Sequence, residues 1–149
     1  MPKSTERLFP NLIDYAVTSP KDASYNCIAF AAGDTTRKWD AGMLPEPGYY
    51  WPPAALQYEN DDIDALKRAF GVLGYEESDH GDLEVGYQKV ALYAIDKDDW
   101  LHAAIQEPNG EWSSKLGAGY DIRHKSPQCV EGPIYGTVMC FLKKPIDGA

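Results

Sequence analysis

The tripeptide Pro108-Asn109-Gly110 is the tightest constraint on this chain, because it separates two apolar runs with no room for them to diverge. Pro fixes φ, and Asn and Gly tolerate turn backbone, so the flanking segments must return antiparallel. The pattern predicts strands over 101–106 and 111–116, preceded across the polar turn 96–99 by a strand over 89–95. A fourth strand is predicted over 135–142. Short connections make the first three a meander. A three-residue loop at 108–110, closed by a left-handed Gly, sets Gln106 opposite Trp112 and Ala104 opposite Ser114. His102 and Ala104 then share a face, and Ser114 lies diagonal to His102. A two-residue loop would turn Ser114 to the other face.

The first half reads as helical. Asn11 can cap a short helix that Pro20 ends. Residues 22–34 read as a second, buried helix, capped by Asp22 or Ser24 and stopped by Gly33, with Cys27 in its first turn. The clearest amphipathic helix is 61–74, with Ile63, Leu66, Phe70 and Leu73 in one stripe behind an acidic start of Asp61, Asp62 and Asp64. Between these helices, residues 43–53 carry four prolines beside Tyr49, Tyr50 and Trp51 and form an aromatic loop. Helices first and strands second define an α+β class, and 149 residues fit one domain over 1–149.

A net charge of −9 and scattered basic residues argue against binding nucleic acid or an anionic membrane. The start of the chain has no signal-peptide pattern and no segment is apolar enough to span a bilayer, so a cytoplasmic location is expected; export by a signal-free route would look the same. Three cysteines, Cys27, Cys129 and Cys140, are too few for a disulfide scaffold. No Cys-x-x-Cys or His-x-x-x-His spacing is present, so neither a metal nor a cofactor is expected.

Chemistry centres on Cys27 and His102. A helix start and a nearby imidazole both favour thiolate, and the two side chains need only meet in space. The third member is open: Asp121 leads on chemistry as the group that would orient His102, and Ser114 leads on strand geometry. The bland reading makes Cys27 a small buried hydrophobe and His102 a structural histidine. His80 and His124 read as solvated, Cys129 and Cys140 as packing, and Ser114 and Lys115 as exposed strand residues.

At these residues the chain resembles the NlpC/P60 branch of papain-like cysteine hydrolases. Asn26-Cys27 matches the nucleophile at a helix start, and His102-Ala103-Ala104-Ile105-Gln106 with Asn109-Gly110-Glu111-Trp112 matches the His-bearing strand and its hairpin. The segments Tyr25–Ala29, Lys89–Tyr93, His102–Ala104, Trp112–Gly117 and Asp121–His124 resemble more closely a bacterial domain family of unknown function. The resemblance implies a papain-like fold, with N-terminal helices packed on a C-terminal antiparallel sheet. It also implies a cysteine-dependent hydrolase or acyltransferase that cleaves a peptide, isopeptide or amide bond. Cys27 would attack, His102 would shuttle the proton, and Asp121 or Ser114 would orient it. Tyr25 and Asn26 beside the nucleophile would contact substrate, as would Trp51 if its loop walls a groove and does not simply cover the core. The alternative is a non-catalytic acidic binding module, such as an immunity-type protein that neutralises a basic partner. The sequence leaves the oligomeric state open.

Overall fold

A computed structural model describes residues 9–12, 15–20, 22–56, 62–96, 99–116 and 120–146. Alternating apolar residues build long strands in the second half: β5 (Tyr87–Asp96), β6 (Asp99–Gln106), β7 (Trp112–Lys115), β8 (Asp121–His124) and β9 (Thr137–Pro145). With β1 (Tyr15–Ser19) and β4 (Glu76–Ser78) they form one seven-stranded sheet in the order β1-β8-β7-β6-β5-β9-β4. Every neighbouring pair in it is antiparallel. Two short parallel strands, β2 (Lys38–Trp39) and β3 (Tyr49–Tyr50), stand apart.

The expected papain-like arrangement of N-terminal helices on a C-terminal sheet is not what forms. The structure is mostly antiparallel sheet, with one substantial helix among the described residues, α2 (Ile63–Val72). Two local causes account for the difference. Tyr15-Ala16-Val17-Thr18-Ser19 is rich in aromatic and β-branched residues, and it pairs with β8 as an edge strand where a helix was expected. The helix expected over 22–34 shrinks to α1 (Cys27–Ala31). Asp22 spends its carboxylate on the Ser24 N–H in a turn, and Asn26 becomes the cap, accepting from the Ala29 N–H at 3.0 Å. Gly33, at φ +86°, closes the other end. The helix α2 matches the expected stripe: Asp62 caps it through the Ala65 N–H at 2.7 Å, and Ile63, Leu66 and Phe70 are buried. Asp61 lies outside the described residues. No described helix is long and apolar enough to cross a membrane.

The pleat divides the interior into two cores. On the first face, α1, α2, Trp39 and Trp51 pack against Val90, Leu92, Ala94 and Ala103. On the second, Phe9, Leu12, Val130 and Tyr135 pack against Ala91, Tyr93, Ala104, Trp112 and Ile122. A bulge in β6 interrupts the alternation: Tyr93 faces His102 and Ala94 faces Trp100, so Leu101 is an extra residue on its strand.

Because α2 is attached to the sheet by one apolar stripe, truncations along it should separate by face. Phe70→Ala is expected to cost about 3–5 kcal/mol in denaturant unfolding. Val72→Ala, on the half-exposed side, should stay within about 0.5 kcal/mol. Equal losses at the two positions would contradict this packing.

Candidate functional site

The hairpin after β6 sets the geometry of the expected site. The Gly110 N–H donates to the Glu107 carbonyl at 2.9 Å, Gly110 sits at φ +90°, and Asn109 Oδ1 accepts from the Glu111 N–H. This is the three-residue loop, and it places Gln106 opposite Trp112 and Ile105 opposite Ser113. Ser114 therefore shares the face of His102, and its Oγ lies 3.0 Å from His102 Nε2.

Cys27 is on the other face. Its thiol belongs to the core that contains Ala103, Leu92 and α2, whereas His102 stacks on Tyr135 at 3.8 Å and meets Tyr93 edge-on at 5.0 Å in the second core. The sheet lies between sulfur and imidazole, so the structure does not form the expected Cys27–His102 pair. The physical reason is strand parity. The helix α1 packs against β6 through Ala103, and the next residue along the strand, His102, must point away from it.

Each group is also held in its neutral form. Burial pushes the Cys27 thiol up to about 11, outweighing nearby backbone N–H groups and the positive charge of Lys115. The sulfur donates to the Leu101 carbonyl at 3.7 Å, and Cys27 as a whole is buried. Burial likewise drives His102 well below the ordinary imidazole range, with the neighbouring His124 contributing in the same direction.

The second face instead holds a directional hydrogen-bonded chain. His124 Nδ1 lies 2.7 Å from the Ser126 carbonyl, which can only accept, so this nitrogen carries the proton. His124 Nε2 then accepts from Ser114 Oγ at 2.8 Å, and Ser114 Oγ accepts from His102 Nε2. His102 Nδ1 is left as a buried acceptor without a hydrogen-bond partner. Ser114, one of the two candidates for orienting His102, is the one in contact with it.

Asp121, the other candidate, faces α1. Its Oδ2 accepts from the Tyr25 hydroxyl at 2.6 Å, and its Oδ1 lies 3.6 Å from Lys115 Nζ. Burial and this carboxylate push the Tyr25 phenol up to about 12. The Lys115 ammonium also lies over the Tyr25 ring, 4.3 Å from its centroid. The three expected substrate contacts are occupied by structure. Tyr25 is spent on Asp121. Asn26 caps α1 and clamps β2 through both the N–H and the carbonyl of Trp39. Trp51 is 1% exposed and stacked on Trp100 at 5.8 Å, so of its two readings the structure shows the core cover.

Sequence reasoning missed three buried groups. His124, Ser114 and Lys115 are fully buried, where a solvated loop and exposed strand positions were expected. The signal was available in Asp121-Ile122-Arg123-His124, which alternates about a buried Ile and forms β8 beside β7. Once β8 is drawn, Ser114 opposes Ile122, Lys115 opposes Asp121 and His124 comes within hydrogen-bond reach of Ser114, so all three unexpected residues acquire neighbours. Cys27, Cys129 and Cys140 are free thiols.

Over residues 16–143 the chain matches the family model described as Domain of unknown function (DUF7689), and it belongs to that family. No curated protein and no solved structure matches it.

The histidine chain has a pH signature. Burial lowers both His102 and His124 in the fold, so the unfolded chain binds protons that the folded chain refuses. Stability should therefore be intact above about pH 6.5, the unfolded value. Below it, stability should fall as pH drops, by at most about 1.4 kcal/mol per pH unit for each histidine and only until that histidine's folded value is reached. Ser114→Ala, which strips both imidazoles of their shared partner, should cost about 2 kcal/mol at neutral pH by denaturant unfolding. A flat profile between pH 7 and 5, or a neutral Ser114→Ala, would contradict the chain.

Proposed function

We propose that the protein is a non-catalytic acidic interaction module whose partner is a cationic protein, the role an immunity-type protein plays toward a basic target. The observation that carries this reading is the separation of the thiol and the imidazole by the sheet, each buried in a form unsuited to nucleophilic catalysis. A net charge of −9 on 149 residues supports the partner class, since it attracts cationic surfaces and repels anionic ones.

A second reading, a Cys27-dependent hydrolase or acyltransferase, draws on one observation. Lys115 lies close enough for its charge to favour the Cys27 thiolate, within the same polar group as Asp121 and Tyr25. Any such chemistry would have to work without His102 and would first need the thiol to open to solvent.

Alkylation of Cys27 by iodoacetamide across pH 6–10 separates the two readings. The interaction module predicts a rate at neutral pH at least about tenfold below that of an exposed thiol, still rising at pH 10 and unchanged by His102→Gln. It further predicts that Cys27→Ala retains biological function. A labelling rate that levels off near pH 7 and collapses in His102→Gln, with loss of function in Cys27→Ala, would establish the enzyme instead.

A further inference from the structure

The loop 79–86, which joins β4 to β5, is held down by one buried cation. Lys89 of β5 has no exposed surface, and its ammonium donates to His80 Nδ1 at 3.1 Å, to the His80 carbonyl at 3.2 Å and to Glu84 at 3.2 Å. An ammonium offers three hydrogens and no acceptor, so these bonds satisfy it. The same His80 nitrogen accepts from the Asp82 N–H at 3.2 Å. Two donors converge on Nδ1, so it holds a lone pair and the ring is neutral.

That lone pair is within reach of solvent protons, because the His80 side chain is 50% exposed. Charged groups face the ring from several elements. On its own loop, Asp82 lies 3.8 Å from Nδ1 and Glu84 lies 4.0 Å from Nε2, with Asp79 adjacent in sequence. From β5 comes Lys89, and from β9 comes Lys143, which reaches Glu84 at 3.2 Å. Across a shared cleft stands Lys125, paired with Glu111 at 3.6 Å. Hydrogen bonds from Lys89 and Lys143 hold the Glu84 carboxyl below its ordinary value, so it stays ionised wherever an imidazole titrates.

The loop covers an aromatic side chain of the sheet. Gln106 Nε2 donates to the Gly81 carbonyl at 2.9 Å, and Gly81 has no room for a Cβ against the Phe141 ring.

From this geometry we infer that His80 is a proton-operated latch, whose protonation at Nδ1 breaks the bond to Lys89 and lifts the loop off Phe141. A proton on Nδ1 leaves the Lys89 ammonium and the Asp82 N–H without their acceptor, and it sets a second positive charge beside the first. The imidazolium turns instead to Asp82 and Glu84, so it competes with Lys89 for the Glu84 carboxylate. A buried ammonium with unmet donors is costly, and the loop must open to let water reach it. The latch is therefore closed while His80 is neutral and opens as pH falls. It does not depend on the interaction-module reading.

The test is NMR of the full chain from about pH 8 to about pH 5, following the His80 ring protons together with the cross-peaks between Gly81 Hα and the Phe141 ring. These cross-peaks should weaken at least about twofold, with the midpoint of the His80 titration. Cross-peaks between the Phe70 and Tyr75 rings, in the other core, should hold their intensity throughout. His80→Asn keeps an acceptor near the Nδ1 position but does not titrate, so its Gly81–Phe141 cross-peaks should persist to the lowest pH. Lys89→Met removes the donor and should abolish the pH dependence. Cross-peaks that stay constant while His80 titrates, that weaken with a different midpoint, or that weaken equally in His80→Asn would overturn the inference. So would their loss in step with the Phe70–Tyr75 cross-peaks, which would mark unfolding of the whole domain.

Discussion

The turn at Pro108–Gly110 decides which side chains of β6 and β7 look at one another, and the interior is organised around that decision. With three residues in the loop, Ser114 falls on the face of His102 and Lys115 on the face of α1. A slip of one residue would exchange the two, moving a buried ammonium into the aromatic core around Tyr93 and Tyr135. The register is therefore held by polar consequences as well as by apolar ones. Each face carries its own polar group: His102, Ser114 and His124 on one, Tyr25, Asp121 and Lys115 on the other.

Those groups explain why buried polar residues in this chain need not imply catalysis. A fully buried ammonium is tolerable only when its donors are met and a counter-charge is near. Lys89 satisfies this with a histidine, a carbonyl and Glu84, and Lys115 has Asp121 beside it. The two imidazoles meet the same demand by staying neutral and passing one hydrogen-bond direction through Ser114. What they gain is order: a sheet whose two sides are not interchangeable. The thiol of Cys27, by contrast, is packed as a small apolar group with one weak bond to a carbonyl.

How far the sequence revealed this depends on the element. The β6–β7 hairpin, its register and the His102–Ser114 contact follow from a turn tripeptide and a period of two, and α2 follows from an apolar stripe. The N-terminal segment was misread because Tyr15–Ser19 is too short to display a period, and because Pro20 can end a strand as readily as a helix. The length of α1 was misread because Asp22, Ser24 and Asn26 are all good caps, and the choice among them lies in the tertiary contact of Asn26 with Trp39. The separation of Cys27 from His102 was hidden for a different reason. Each residue carried the local marks of its role, but which sheet face a helix covers is set by packing, and no local pattern records it.

The claim on which the account turns is that the sheet separates Cys27 from His102. Long-range ¹H–¹⁵N correlation of the histidine side chains at pH 7 tests it most directly, recorded on the native chain and on Cys27→Ala. The account predicts His102 neutral with its proton on Nε2, His124 neutral with its proton on Nδ1, and both patterns unmoved by the substitution. A His102 imidazolium in the native chain that becomes neutral when the thiol is removed would contradict it, because only a thiolate in contact with that ring could produce such a change.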